Sequence, residues 1–236
     1  MACAKPQLAD LLAFAEHPIR DARLPAQQQQ QPCTLSSLWR DGPVALVFLR
    51  RLGCALCRTT CQEYSEAQAQ IRAAGGRMVC LSFEALGEGS DSDGSFSAGR
   101  YWEGPLYVVE PAVYQALFGR KGLFNGFYGL ADVSRTKLAS CTERGVKGNY
   151  SGDGLSLGGQ FVVSRRGTVV VDHRQQYYGD DLSAEELLEG VQEALQRDQA
   201  AEAAAAALAP RPQVQEWGAG GGGGGGGSSK GSPSPK

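Results

Sequence analysis

Histidine is scarce in this chain: only His17 and His173 occur, far apart in sequence. No second Cys-x-x-Cys accompanies the one at Cys54 and Cys57, so a zinc site with four side-chain ligands has too few partners to complete it. No apolar run reaches the ~18 residues of a bilayer span. The beginning of the chain lacks the apolar core and small-residue cleavage site of a secretory leader. Neither sign of charge dominates, with 23 Lys and Arg against 25 Asp and Glu, which leaves no nucleic-acid signature. The 7 cysteines are odd in number and irregular in spacing, unlike a secreted disulfide framework. A reducing compartment, the cytosol, fits them best. Residues 7–15 read as an amphipathic packing helix and leave organelle targeting open.

Low-complexity stretches set the domain boundaries. A glutamine run at 27–31 closes an N-terminal extension, 1–31. From residue 198 the chain turns to alanine, then proline, then a long glycine run, which is too poor in apolar surface to build a core. The folded domain is therefore expected over 32–197, with 198–236 a disordered tail.

The chemistry concentrates where a strand gives way to a helix. Residues 44–49 are a continuous apolar run, the pattern of a strand buried on both faces. Gly53 ends it, and a helical pattern over 54–73 begins with Cys54-Ala55-Leu56-Cys57. Unpaired amides and the dipole at a helix N-terminus favour thiolate over thiol, and thiolate is what attacks disulfides and peroxides. Cys57, Cys61, Tyr64, Ala67 and Ile71 recur every three or four residues and form the buried stripe. Cys54 lies a turn earlier, at the exposed end. On this reading Cys54 attacks and Cys57 resolves, the two being close enough for a disulfide. Arg50, Arg51 and Arg58 are all expected to lower the pKa of Cys54. Cys54, Cys57 and Cys61 also invite an iron–sulfur reading, but Cys61 on an apolar stripe is better taken as a small core residue, as is Cys80.

Further elements follow in order: a strand at 78–83, a long Gly/Ser/Asp-rich loop at 87–104 with a helical turn at 98–102, a strand at 106–109 and a helix at 111–118 with proline first. A helix at 130–142, a hairpin of 160–163 with 168–172, and a helix at 182–195 opened by a Ser183/Glu186 capping box complete the chain. The order βαβ…βα…ββα predicts a mixed α/β sheet with helices on both faces.

That order, with Cys-x-x-Cys at the first strand–helix junction, resembles the thioredoxin-like fold. The blocks Leu49-Arg50-Arg51-Leu52-Gly53-Cys54-x-x-Cys57-Arg58, Glu84-Ala85-Leu86-Gly87, Gly148-Asn149-Tyr150-Ser151-Gly152-Asp153 and Gly158-Gly159-Gln160-Phe161 narrow the resemblance to the peroxiredoxin-like 2 family. It implies a cytosolic oxidoreductase that reduces a prostaglandin-type endoperoxide or another lipid peroxide. Its catalytic dithiol would be Cys54 and Cys57, with no bound cofactor or metal, and its electrons would come from NADPH through thioredoxin. Aligning the chain instead with the Thr-x-x-Cys loop of peroxiredoxins would put Cys57 at the attacking position. Gly158-Gly159 stands where thioredoxins carry a cis-proline, and reads as an opening beside the dithiol or as a plain turn. Residues 119–159 are the expected substrate cover, with Phe124, Phe127, Tyr128 and Tyr150 as apolar area and Arg120 and Lys121 for a lipid carboxylate. Cys141 has no assigned role, and His173 is a candidate acid. The other readings are a redox regulator that exchanges with protein disulfides, and a structural domain whose cysteines are incidental.

Overall fold

A computed structural model describes residues 9–24, 33–120 and 130–208, with backbone alone for 130–136. The glutamine run, Lys121, Phe124, Phe127, Tyr128 and the glycine-rich tail lie outside these residues.

Seven strands form one mixed sheet: β1 (Pro18–Asp21), β2 (Cys33–Thr34), β3 (Val44–Phe48), β4 (Arg77–Ser82), β5 (Leu106–Val108), β6 (Gly159–Val163) and β7 (Val169–Arg174). Their spatial order is β2-β1-β5-β4-β3-β6-β7. β3–β4 and β4–β5 pair in parallel, and the remaining neighbours are antiparallel. β3 lies at the centre, and all five of its residues are buried, as its unbroken apolar sequence requires.

Among the described residues, four α-helices cover the sheet: α1 (Ala55–Ala73), α2 (Pro111–Phe118), α3 (Leu130–Glu143) and α4 (Ala184–Leu208). Alternation along β3 divides the core in two. Ala45 and Val47 meet Tyr64 and Ile71 of α1 and Leu187 and Val191 of α4. Leu46 and Phe48 meet Tyr114, Leu117 and Phe118 of α2. On that second face Phe48 packs on Tyr114, Phe118 and Phe161 at centroid distances of 5.5, 5.2 and 5.7 Å. Truncating such an aromatic hub costs about 3–5 kcal/mol. The capping box forms: Glu186 N–H donates to Ser183 Oγ, and Ser183 N–H to Glu186 Oε2.

Three expectations change. The N-terminal segment is part of the domain: β1 adds to the sheet against β5, and Leu11 and Ile19 are buried. One apolar residue in Pro-Ile-Arg-Asp is too weak a pattern to show this strand. At the other end, α4 continues to Leu208, past the expected boundary at 197. Alanine, the best helix former, carries it on, and Asp198 is buried where it accepts from Arg165 N–H at 2.8 Å. Finally, the loop's short helical turn is 3-10 and sits at Gly89–Asp91, not at 98–102.

Candidate active site

The turn from β3 into α1 carries the dithiol. Cys54 is the residue before the first turn of α1, at φ −77° and ψ 125°, and its side chain does not cap its own helix. The sulfur is therefore free to accept from elsewhere. It accepts from the thiol and the backbone N–H of Cys57, and from Arg50 Nη2 at 2.7 Å. The Cys57 bond, the Arg50 charge and the other donors outweigh burial and hold Cys54 well below an ordinary thiol. Cys57 moves the opposite way: donating to Cys54, and buried, it stays a thiol well above the usual range. One negative charge shared by two sulfurs thus settles on Cys54.

Arg50 is fixed on three sides. Nη1 donates to the Gly154 carbonyl at 3.2 Å, the guanidinium lies 4.3 Å from the centroid of the Tyr178 ring, and Tyr178 Oη donates to the same carbonyl at 2.8 Å. Burial works against the charge of Arg50, but the two cysteines raise its pKa further.

The 148–153 block clamps this turn. Asn149 N–H donates to the Gly53 carbonyl at 2.8 Å, and its side-chain amide to the Ser90 carbonyl at 2.8 Å. Arg51 donates from Nη1 to the Ser151 carbonyl at 2.9 Å and from Nη2 to the Asn149 carbonyl. Below, Leu52 N–H donates to Glu84 Oε2 and Gly53 N–H to Ser90 Oγ, which itself donates to Glu84. A Cβ at Gly148 would fall 2.6 Å from Ala55 N, so only glycine lets the clamp approach the helix start.

Arg58 does not act on the sulfur. It is 1% exposed, donates from Nε to the Leu52 carbonyl at 2.7 Å, and forms a two-pronged pair with Asp93 at 2.8 and 2.9 Å. It is a strut that joins α1 to the 87–104 loop. Of the three arginines expected to tune Cys54, Arg50 is the one in contact with it.

Behind the pair lies Asp181, absent from the sequence reading. It accepts from Lys137 and Thr60 at 3.1 Å, from Gln160 at 2.8 Å and from Gln175 at 2.5 Å. Burial pushes its pKa up, but Lys137 and these donors overcome that and hold it ionised. Its charge adds a little to the forces that keep Cys57 protonated. In sequence Gly179-Asp180-Asp181 reads as a turn, and nothing in it signals a buried carboxylate. Tyr178 carries no signal either, whereas Asn149 and Glu84 stand in the blocks that sequence reading singled out.

A cavity of about 450 Å³ opens beside Cys54, lined by Arg50, Arg51, Leu56, Leu138 and Tyr150, with Tyr178 at one side. Cys54 is 6% exposed, and Tyr150, 99% exposed, stands at the rim. A second cavity, about 200 Å³ between Pro18, Phe83 and Val109, has no cysteine in its lining.

Other sequence candidates fall elsewhere. Arg120 pairs with Asp153 at 3.1 Å. His173 is near Asp180, its Nε2 2.9 Å from that residue's carbonyl oxygen, and does not line the cavity. A Cβ at Gly158 would stand 2.0 Å from the Phe48 carbonyl oxygen, so this glycine serves strand approach rather than an opening. Cys141 is buried and accepts from Thr59 Oγ1 at 3.0 Å. Cys61 and Cys80 are fully buried side by side in the core.

Comparison with known proteins bears on this geometry. The AhpC/TSA antioxidant enzyme profile matches residues 64–177, which begins past both cysteines of the dithiol. The human protein named prostamide/prostaglandin F synthase is 34% identical over 160 residues, covering 66% of this chain and 78% of that protein. The chain belongs to the peroxiredoxin-like 2 family. A further member of that group, chicken peroxiredoxin-like 2A, is 26% identical over 159 residues, 66% of this chain and 67% of its own length. The salmon (Salmo salar) prostamide/prostaglandin F synthase is 33% identical over 146 residues, 59% of this chain and 68% of its own. Among solved structures, peroxiredoxin Q of Xanthomonas campestris superposes with a TM-score of 0.50 at 16% identity, over 79% of this chain and 96% of that one. The thioredoxin-like sheet of the family is thus the fold of this peroxiredoxin-like 2 chain.

Proposed function

We propose that this protein is a thiol-dependent oxidoreductase that reduces a lipid endoperoxide or hydroperoxide through Cys54 and Cys57. The observation that carries the reading is Arg50 Nη2 at 2.7 Å from a Cys54 sulfur that faces a largely apolar cavity. The Cys54 thiolate attacks one peroxide oxygen. The O–O bond breaks, an S–O bond forms, and the departing alkoxide takes a proton. The Cys57 thiol then gives up its proton and its sulfur attacks Cys54. The S–O bond breaks, the second oxygen leaves as an alcohol from an endoperoxide or as water from a hydroperoxide, and a Cys54–Cys57 disulfide remains. Two electrons pass from the two thiols to the two oxygens. An external dithiol protein of the thioredoxin kind, recharged by NADPH, returns the disulfide to thiols in the cytosol. The names of the relatives support an endoperoxide of the prostaglandin class as substrate.

The test is NADPH consumption in the presence of thioredoxin and its reductase, with prostaglandin H2 and with a fatty-acid hydroperoxide. Turnover that is lost in Cys54→Ser and in Cys57→Ser supports the reading, and no turnover with either substrate overturns it. Cys57→Ser should retain a thiol that alkylates at acidic pH, while Cys54→Ser should not. The reverse pattern would exchange attacker and resolver.

A further inference from the structure

Peroxide reduction needs an acid, and the dithiol does not supply one for its first step. When the O–O bond breaks, the departing oxygen carries a full negative charge unless a proton meets it. Cys54 is the nucleophile, and Cys57 keeps its proton for the second step. Arg50 is a guanidinium, which does not give up its proton in a protein. His173 lies outside the cavity lining, and burial among donors holds the Asp181 carboxyl ionised. Two hydroxyls remain among the described residues of that lining, Tyr150 and Tyr178. Tyr150 is 99% exposed at the rim, whereas Tyr178 is 6% exposed and lies against Arg50.

The Arg50 guanidinium joins Tyr178 to the sulfur. One terminal nitrogen, Nη2, is 2.7 Å from Cys54 Sγ, and the other, Nη1, shares the Gly154 carbonyl with Tyr178 Oη, at 3.2 and 2.8 Å. Sulfur and hydroxyl thus stand at the two ends of one guanidinium, and both residues line the cavity. The turn that carries Tyr178 is fixed by hydrogen bonds: Gln175 donates to Asp181 at 2.5 Å, Gln176 N–H donates to Asp180 at 2.8 Å, and Gly179 turns with φ 84°. Rotation of the O–H about its C–O bond swings the proton from the Gly154 carbonyl to another acceptor without moving the ring.

We propose that the Tyr178 hydroxyl is the acid that protonates the departing oxygen when Cys54 attacks a peroxide. This rests on the peroxide chemistry proposed above and assigns its first proton. The thiolate pair forms the S–O bond, the O–O pair leaves with the far oxygen, and the Tyr178 proton passes to that oxygen. The phenolate left behind faces the Arg50 guanidinium and takes a proton from water at the cavity mouth. In the second step the Cys57 proton goes to the other oxygen, so each oxygen receives one.

Peracetic acid and tert-butyl hydroperoxide separate this role from a structural one, because acetate departs without a proton and tert-butoxide needs one. The rate is read as loss of the two thiols in a single turnover of the reduced protein, which requires no reductant. Tyr178→Phe keeps the ring against Arg50 and removes only the hydroxyl. It should slow tert-butyl hydroperoxide about 100-fold or more, the usual scale of general acid catalysis, and leave peracetic acid near its wild-type rate. The pH profile of Cys54 alkylation by iodoacetamide should not move. Equal slowing with both peroxides, slowing with neither, or a displaced alkylation profile overturns the proposal; the last outcome would make Tyr178 a support for Arg50. If circular dichroism shows Tyr178→Phe unfolded, wild type decides: its preference for peracetic acid should be smaller than that of free cysteine, and an equal preference overturns the proposal. Failure of wild type to reduce either peroxide removes the peroxide reading and this proposal together, whereas an unchanged ratio in Tyr178→Phe removes Tyr178 alone.

Discussion

Arg50 and Arg58 flank the same dithiol, and the structure uses them in opposite ways. Both are buried, and both lie on a tyrosine ring, Tyr178 at 4.3 Å and Tyr101 at 4.9 Å. Both spend a donor on a backbone carbonyl, Gly154 for Arg50 and Leu52 for Arg58. They differ in their anion. Arg58 has the carboxylate of Asp93, and Arg50 has a sulfur. A buried guanidinium stabilises whatever negative charge lies nearest. Where the chain provides a carboxylate, the pair is a strut. Where it provides only a cysteine, the stabilisation falls on the thiolate and becomes reactivity.

Exchanging the two roles is the sharpest way to break that comparison. Arg50→Met removes the charge that faces the sulfur, so the midpoint of the alkylation pH profile of Cys54 should rise by about 1–3 pH units. The rate should fall most at acidic pH, where wild type keeps its thiolate and the variant does not. At alkaline pH the more basic thiolate of the variant should react slightly faster. An unmoved midpoint would leave the Cys57 hydrogen bond and the helix start as the activators. Arg58→Met should do the reverse. It leaves the Leu52 and Lys147 carbonyls without their donor and should cost about 2–4 kcal/mol, or roughly 5–10 °C in Tm for a domain of this size. The alkylation profile should stay where it was. A large shift of that profile would mean that the two arginines are not separate devices.

The same contrast should appear in stability against pH. The folded state holds Cys54 below its ordinary value, so the thiolate contributes stability that is fully present above the unfolded thiol pKa of about 8.5 and is lost as pH falls through the folded value. Cys57 is raised, so its contribution is present below about 8.5 and is lost as pH climbs toward its folded value. Urea unfolding of the reduced protein should therefore show stability rising through neutral pH up to about 8.5, and Cys54→Ser should flatten that rise. An equal rise in Cys54→Ser would assign it to other groups. The hydrogen bond from Arg58 holds the Asp93 carboxyl below its usual range, outside this window, so Asp93→Asn should lower the whole curve without changing its shape.

Legibility followed range along the chain. The buried strand, the cysteine pair at the helix start and the register of the long helix are local patterns, and the residues from Val44 to Ile71 show them directly. The blocks around Glu84 and Asn149 stood out, although what they clamp is known only from the fold. The expectation for Arg58 fails for a physical reason. Four residues after Cys54 is the correct helical spacing for a contact, but Asp93, in a loop 35 residues away, competes for the guanidinium and wins with two hydrogen bonds. Tyr178 and Asp181 arrive from beyond β7, where no spacing rule relates them to the dithiol. β1 has no legible pattern because it is short and holds one buried apolar residue, Ile19. The end of α4 is not legible because an alanine-rich run reads as low complexity until Asp198 and its Arg165 contact give it a place to dock.

The comparison also has a lower bound, where an arginine–carboxylate pair is wet. Arg144, just past α3, reaches Glu66 on α1 at 2.6 and 3.2 Å, in the same two-pronged form as Arg58 with Asp93. The geometry matches and the surroundings differ most at the arginine: Arg58 is 1% exposed and Arg144 32%, and Glu66 is largely exposed, so water and salt already stabilise both charges. The Arg144 bond holds the Glu66 carboxyl below its usual range, yet that shift is screened and does not convert into comparable stability. Glu66→Gln should therefore cost no more than about 0.5 kcal/mol, or roughly 1–2 °C in Tm, and half-molar salt should erase the difference. α3 also carries Leu138 on the cavity wall and Lys137 against Asp181, so the alkylation profile of Cys54 doubles as a reporter of its docking. A Tm loss of 5 °C or more, or a displaced profile, would mean that the pair anchors α3. Burial would then not be what separates a structural arginine from a surface one here.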